Sequence, residues 1–128
     1  MNDQEHAGLN KRSFELYFRQ GSIWCEHLDS MGAMEAEVLR KLTEDARAFG
    51  RPSAPSRMIV NLDETVITDA VVERLAGEIL GCGKRFVRIA FVGVGMRERR
   101  QLEALLQERA GLLSFLKDYE KAKEWAVG

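Results

Sequence analysis

The stretch MIVNLDETVITDAVVERLAGEIL, Met58 to Leu80, decides the fold. Met58, Ile59, Val60 and Leu62 form a short apolar run with β-branched residues, bounded upstream by Pro52, Pro55 and several serines and downstream by Asp63 and Glu64, which predicts a central strand. Val72, Leu75, Ala76, Ile79 and Leu80 then recur at helical spacing. Thr68 or Asp69 is placed to accept hydrogen bonds from the orphan amides of that helix's first turn. Gly81 and Gly83 stop the helix, because glycine tolerates the left-handed conformation common at such ends. The turn between strand and helix carries three carboxylates, Asp63, Glu64 and Asp69.

Downstream, FVRIAFVGVG, Phe86 to Gly95, is apolar on both faces and reads as an interior strand. Strand, helix, strand implies a right-handed crossover with parallel neighbours. Gly93-Val94-Gly95 then opens a helix with Leu102, Leu105 and Leu106 on its apolar stripe, closed by Gly111. Leu112 to Leu116 predicts an edge strand, and Asp118 caps a last helix with Tyr119, Ala122 and Trp125 facing inward. Upstream, Phe14, Leu16 and Phe18 alternate with Glu15, Tyr17 and Arg19, Gln20-Gly21-Ser22 offers a turn, and Ile23 to Leu28 resumes the extended pattern, a β-hairpin. Between Ala33 and Phe49, the positions Met34, Val38, Leu42, Ala46 and Phe49 make the stripe of an amphipathic helix. The whole predicts a layered α/β domain of about five strands and four helices over residues 13–128, preceded by a flexible leader, residues 1–12.

Composition bounds the function. The 128 residues, 45% hydrophobic, suffice for one packed core. The 19 basic and 20 acidic side chains leave a formal charge of -1, which gives no electrostatic reason to expect a nucleic-acid partner. No apolar run approaches the roughly 18 to 20 residues of a membrane span, and the first residues lack a signal-peptide core. A cytoplasmic protein without membrane insertion is expected. Cys25 and Cys82 make no disulfide framework and lack metal-ligand spacing.

Two features bear on chemistry. Cys25 and His27 lie two apart, on one face of a strand, but a metal site needs three or four ligands and sequence offers two at best. Gly93, Gly95, Arg97 and Arg99 place glycines and cations at a helix start, where an anion such as phosphate or a nucleotide can bind. The dinucleotide fingerprint fails, because Glu98 stands where its third glycine belongs. Neither a catalytic triad nor a cofactor motif is present, and no cofactor or metal is expected.

Met58-Ile59-Val60 followed by NLDET, Asn61 to Thr65, resembles the first motif of the haloacid dehalogenase phosphatases, Asp-x-Asp-x-Thr after an apolar strand. Asp63 and Thr65 match. Asn61 replaces the nucleophilic aspartate with an amide that cannot attack phosphorus, so the resemblance implies at most a degenerate phosphatase. A second resemblance spans nearly the whole chain. The opening hairpin, amphipathic helix, VNLDE strand, helix beginning near Asp69, IAFVGVG strand and closing LLSFLKDYEKAKEWA together resemble a STAS domain, the fold of anti-sigma factor antagonists. That family carries Asp-Ser-Ser-Gly at the helix start, with the second serine phosphorylated by a partner kinase. Here the stretch is Asp69-Ala70-Val71-Val72, so the aspartate matches and the serines and glycine do not.

The resemblance implies a non-enzymatic regulatory module lacking the usual serine switch, bound by another protein, a regulator or kinase-like partner, or by a second copy of itself. The expected contact surface is Asp63, Glu64, Thr65, Thr68, Asp69, Ala70 and Val71, where Ala70 and Val71, with Val66 nearby, make an apolar patch with charged flanks. Thr65 and Thr68 are the nearest hydroxyls that could stand in for the missing serines. A small-ligand or anion-binding domain, using the Gly93 to Arg100 turn, is the alternative.

Overall fold

The computed structural model describes residues 12–128; residues 1–11, and with them His6 and nearly all of the expected leader, lie outside the described residues. The chain opens with β1 (Phe14–Phe18) and β2 (Gly21–His27), paired antiparallel with Phe18 opposite Gly21. That register leaves a two-residue turn, Arg19-Gln20, with φ of 49° and 68°. Two positive φ values in succession match the twist of a tight hairpin, although neither residue is the glycine or asparagine such turns prefer. The expected turn at Gln20-Gly21-Ser22 is therefore one residue late. Gly21 serves packing instead, since a Cβ there would lie 2.8 Å from a methyl of Val127.

The rest alternates: α1 (Glu35–Phe49), β3 (Arg57–Asn61), α2 (Asp69–Gly81), β4 (Arg88–Val92), α3 (Met96–Leu105), a 3-10 segment (Gln107–Leu112), β5 (Leu113–Leu116) and α4 (Tyr119–Val127). The five strands lie in the order of the sequence, and β2 to β5 run parallel. Connections of one hand place α1, α2 and α3 on one face, while, among the described residues, α4 packs alone across β2 to β5 on the other. The α/β architecture expected from the sequence, hairpin first and a five-stranded mixed sheet against four helices, is the one found.

Covering both faces explains the unbroken apolar runs of β3 and β4. Met58 and Val60 face the three-helix layer with Leu42, Phe49, Leu75, Ile79 and Phe86. Ile59, Ala90 and Val92 face α4, which meets them with Ala122 and Ala126. Small residues on both sides let this helix lie close to the sheet, so enlarging either alanine would overpack the contact.

Several expectations shift at element ends. Met34 precedes α1 and is exposed, because the helix starts at Glu35. Leu80 and Leu105 lie on the outer sides of their helices and Leu106 takes the buried place. Gly111 falls inside the 3-10 segment, after α3 has ended at Leu105. In α4, Ala122 and Ala126 are buried while Tyr119 and Trp125 are half-buried. Among the described residues, no helix is long and apolar enough to cross a membrane.

Candidate functional site

The turn between β3 and α2 is built by backbone hydrogen bonds that its own side chains organise. Asn61 Oδ1 accepts from the Asp63 amide at 3.1 Å, an asparagine turn that bends the chain out of the strand. Glu64 then takes φ of 59°, and Ser30 in the turn after β2 takes φ of 62°. The two turns run side by side: the Ser30 amide donates to the Asp63 carbonyl at 2.7 Å, Gly32 to Glu64 at 3.1 Å and Val66 to Gly32 at 2.7 Å. In effect the parallel pairing of β2 and β3 continues beyond the strands, with Gly32 and Thr65 forming a bridge.

Thr65 locks this stack. Its hydroxyl donates to the Leu28 carbonyl at 2.6 Å and accepts from the Met31 amide at 3.0 Å. Thr68 is the N-cap of α2, its hydroxyl accepting from the Val71 amide at 3.3 Å. Both threonine hydroxyls are thus committed to backbone, the ordinary use of threonine in turns and caps.

Of the expected contact surface, Asp63, Glu64, Asp69 and Ala70 are exposed, and Thr65 and Thr68 are half-buried. Val71 is a correction: it is fully buried in the core under α2 and offers nothing to a partner. The third position of a helix that lies on a sheet turns inward as readily as the fourth, and Val71 and Val72 both do. Val66 is 52% exposed and supplies the apolar contact that Val71 cannot. Nearby, at the start of α3, Met96 is 62% exposed, a residue that the sequence reading passed over. The Ser30 hydroxyl reaches Glu64 Oε1 at 3.3 Å, and Asp69 Oδ1 accepts from Gln101 at 2.9 Å and from Arg97 at 3.2 Å. Asp69 therefore ties the start of α2 to α3.

The glycine turn after β4 is arranged differently. Gly93 has φ of 81°, and a Cβ there would meet Asp63 Cα at 2.7 Å, so this glycine exists to let two turns touch. Gly95 is the N-cap of α3, and a Cβ on it would stand 2.8 Å from Glu98 Oε1. The Glu98 carboxylate thus occupies the helix start, where it already answers the amides' positive end. Arg97 points to Asp69, while Arg99 pairs with Glu103 at 3.3 Å and lies over the Phe115 ring. The four residues expected to bind an anion are not brought to one point.

β2 holds two further clusters, one on each face. Cys25 and His27 share the α4 face as expected. His27 Nδ1 lies 2.9 Å from Asp29 Oδ1, and its Nε2 lies 3.5 Å from the Tyr119 hydroxyl, which also neighbours Cys25. Burial raises the Cys25 thiol above its ordinary pKa, and burial together with Cys25 raises the Tyr119 phenol, so both stay protonated and neither is an activated nucleophile. On the opposite face Glu26 is completely buried beside Trp24, Lys41 and Asp45. An acid within the apolar run IWCEH was the only sign of it in the sequence. Among the described residues no three histidine, cysteine or carboxylate side chains converge as a metal site.

No protein-family model, curated protein or solved structure matches the chain.

Proposed function

We propose that the chain is a cytoplasmic, non-enzymatic regulatory module of the anti-sigma factor antagonist kind, bound by another protein at the stacked turns after β2 and β3. The observation that carries this reading is the contrast between a fixed backbone and exposed side chains in the Asp63 to Ala70 turn. The amides of Asp63 and Val66 and both threonine hydroxyls are hydrogen-bonded, while Val66 and Ala70 face outward beside Asp63, Glu64 and Asp69. A surface held in place before contact loses little conformational freedom on binding, and apolar centres with charged rims give affinity and orientation together.

The STAS resemblance supports the same end of the molecule, since Asp69 stands at the helix start where that family's serine motif begins. With Ala70 and Val71 lacking hydroxyls and Thr65 and Thr68 holding backbone, the module works without the serine switch. Affinity isolation of the tagged protein from its own cells, wild type beside Val66→Arg, with mass spectrometry of partners and of bait phosphorylation, tests this. A partner held by the unphosphorylated wild type and lost in the variant is the expected result. Recovery of only a second copy of the chain would assign the surface to self-association. Equal retention by both baits would overturn the reading.

A further inference from the structure

Glu26, the penultimate residue of β2, has no exposed surface. Its Oε1 accepts from the Trp24 indole at 2.8 Å, and its Oε2 is wholly buried without a hydrogen-bond partner of good geometry. Beside it, Lys41 Nζ of α1 donates to Asp45 Oδ2 at 2.7 Å and to the Ser13 hydroxyl at 2.8 Å. Ser13 in turn donates to Asp45 Oδ2 at 2.8 Å and accepts from the His27 amide at 2.9 Å. Ser13 immediately precedes β1, so this network fastens the entry of the hairpin to α1.

Charge decides what the cluster tolerates. One ammonium faces two carboxyl groups. With Glu26 neutral, Lys41 and Asp45 form a balanced, hydrogen-bonded pair; with Glu26 ionised, a net negative charge is left in the interior with one lone oxygen unsatisfied. The charged groups acting on Glu26 both come from α1, Lys41 and Asp45. The residue before β1 is Ser13, and Glu15 of β1, opposite Trp24, is exposed to water. From β3 the facing residue is the apolar Val60, and His27 turns to the other face of the sheet.

We propose that Ser13, Glu26, Lys41 and Asp45 form a proton-operated clasp, closed while Glu26 carries its proton and opened between α1 and the hairpin when the proton leaves. The electrostatics run the same way. Burial, then Asp45, pushes Glu26 well above the usual carboxylate range. Burial also pushes Asp45 up, but hydrogen bonds from Glu26, Lys41 and Ser13 together outweigh it and hold that carboxyl below its ordinary value. Because Glu26 binds its proton more tightly folded than unfolded, its contribution to stability is fully present below the ordinary carboxylate pKa and is lost as pH rises through the raised one. Asp45 contributes in the opposite sense, losing its part as pH falls. The clasp is therefore closed in the window between the two.

Trp24, hydrogen-bonded to Glu26, is a built-in reporter. In a Trp125→Phe background, so that Trp24 alone emits, fluorescence and amide-exchange protection factors are followed from acid to alkaline pH for otherwise wild-type protein, Glu26→Gln and Asp45→Asn. The expected wild-type result is a Trp24 transition above the ordinary carboxylate range. Protection in residues 13–18 and 35–49 falls tenfold or more across it, while α2 to α4 change little. Glu26→Gln removes the transition, and in urea its unfolding constant lacks the wild type's extra rise of about tenfold per pH unit for one proton. Asp45→Asn, which leaves Lys41 free to pair with an ionised Glu26, moves the transition to lower pH, and it decides the matter should Glu26→Gln fail to fold. A wild-type profile without the transition, or one retained in Glu26→Gln or unmoved in Asp45→Asn, would overturn the proposal.

Discussion

The turn after β3 and the turn after β4 sit side by side at the same end of the sheet, and both drew attention in the sequence, one for its carboxylates and one for its glycines and arginines. They differ in what is left over once the fold is satisfied. Around Gly93 and Gly95 the residues that suggested an anion site are already used: Gly93 clears Asp63, Glu98 occupies the helix start, Arg97 reaches Asp69 and Arg99 pairs along its own helix. After β3 the turn is held in place by Asn61, Thr65 and Thr68, and Asp63, Val66 and Ala70 remain directed at solvent. A charged or glycine-rich motif points to binding only when the fold has not already used it.

The comparison breaks most severely at its buried margin. Val71→Glu places a carboxylate in the core under α2, and a loss of about 3 to 5 kcal/mol is expected in urea denaturation, enough to unfold a marginal domain. That variant therefore cannot report on binding. Gly93→Ala is next: a side chain at φ of 81° and a contact under 3 Å with Asp63 backbone should cost about 2 to 3 kcal/mol, read as a lowered urea midpoint with an unchanged slope.

Thr65→Val keeps the shape of the side chain but strands the Met31 amide and the Leu28 carbonyl. About 1 to 2 kcal/mol is expected, with faster amide exchange at Ser30, Gly32 and Val66 and none of that loosening in α4. Arg97→Ala sharpens the contrast from the other side. Its pair with Asp69 is exposed on both partners, so the loss should stay within about 0.5 kcal/mol and shrink with added salt.

How far the sequence could be read follows from the same distinction. Elements showed themselves where one periodicity dominated: the β3 run, the α2 stripe and the parallel alternation all depend on which residues avoid water, and these residues had no other choice. The hairpin turn was displaced because Gly21 looked like a turn residue, whereas its small size serves Val127 across the sheet, a contact 106 positions away in the chain that no local pattern contains. Val71 was assigned outward for a similar reason. Helical spacing allows a stripe of variable width, and only the sheet beneath α2 fixes its edge. Glu26 and Tyr119 could not be found from spacing at all, because their partners, Lys41 with Asp45 and His27 with Cys25, are set by how α1 and α4 lie on β2.

Two exposed valines at opposite ends of the parallel strands give the most direct test. Val66 follows β3 in the stacked turns, and Val87 precedes β4 at the far end, with similar exposure. Arginine at either position should leave the fold and the thermal midpoint intact, since neither side chain contributes to the core. Binding of the isolated partner to each purified variant, measured by calorimetry, should then separate them: Val87→Arg binds as wild type does, and Val66→Arg loses at least tenfold in affinity. Equal affinity for the two variants would contradict the assignment of the Asp63 to Ala70 turn as the contact surface.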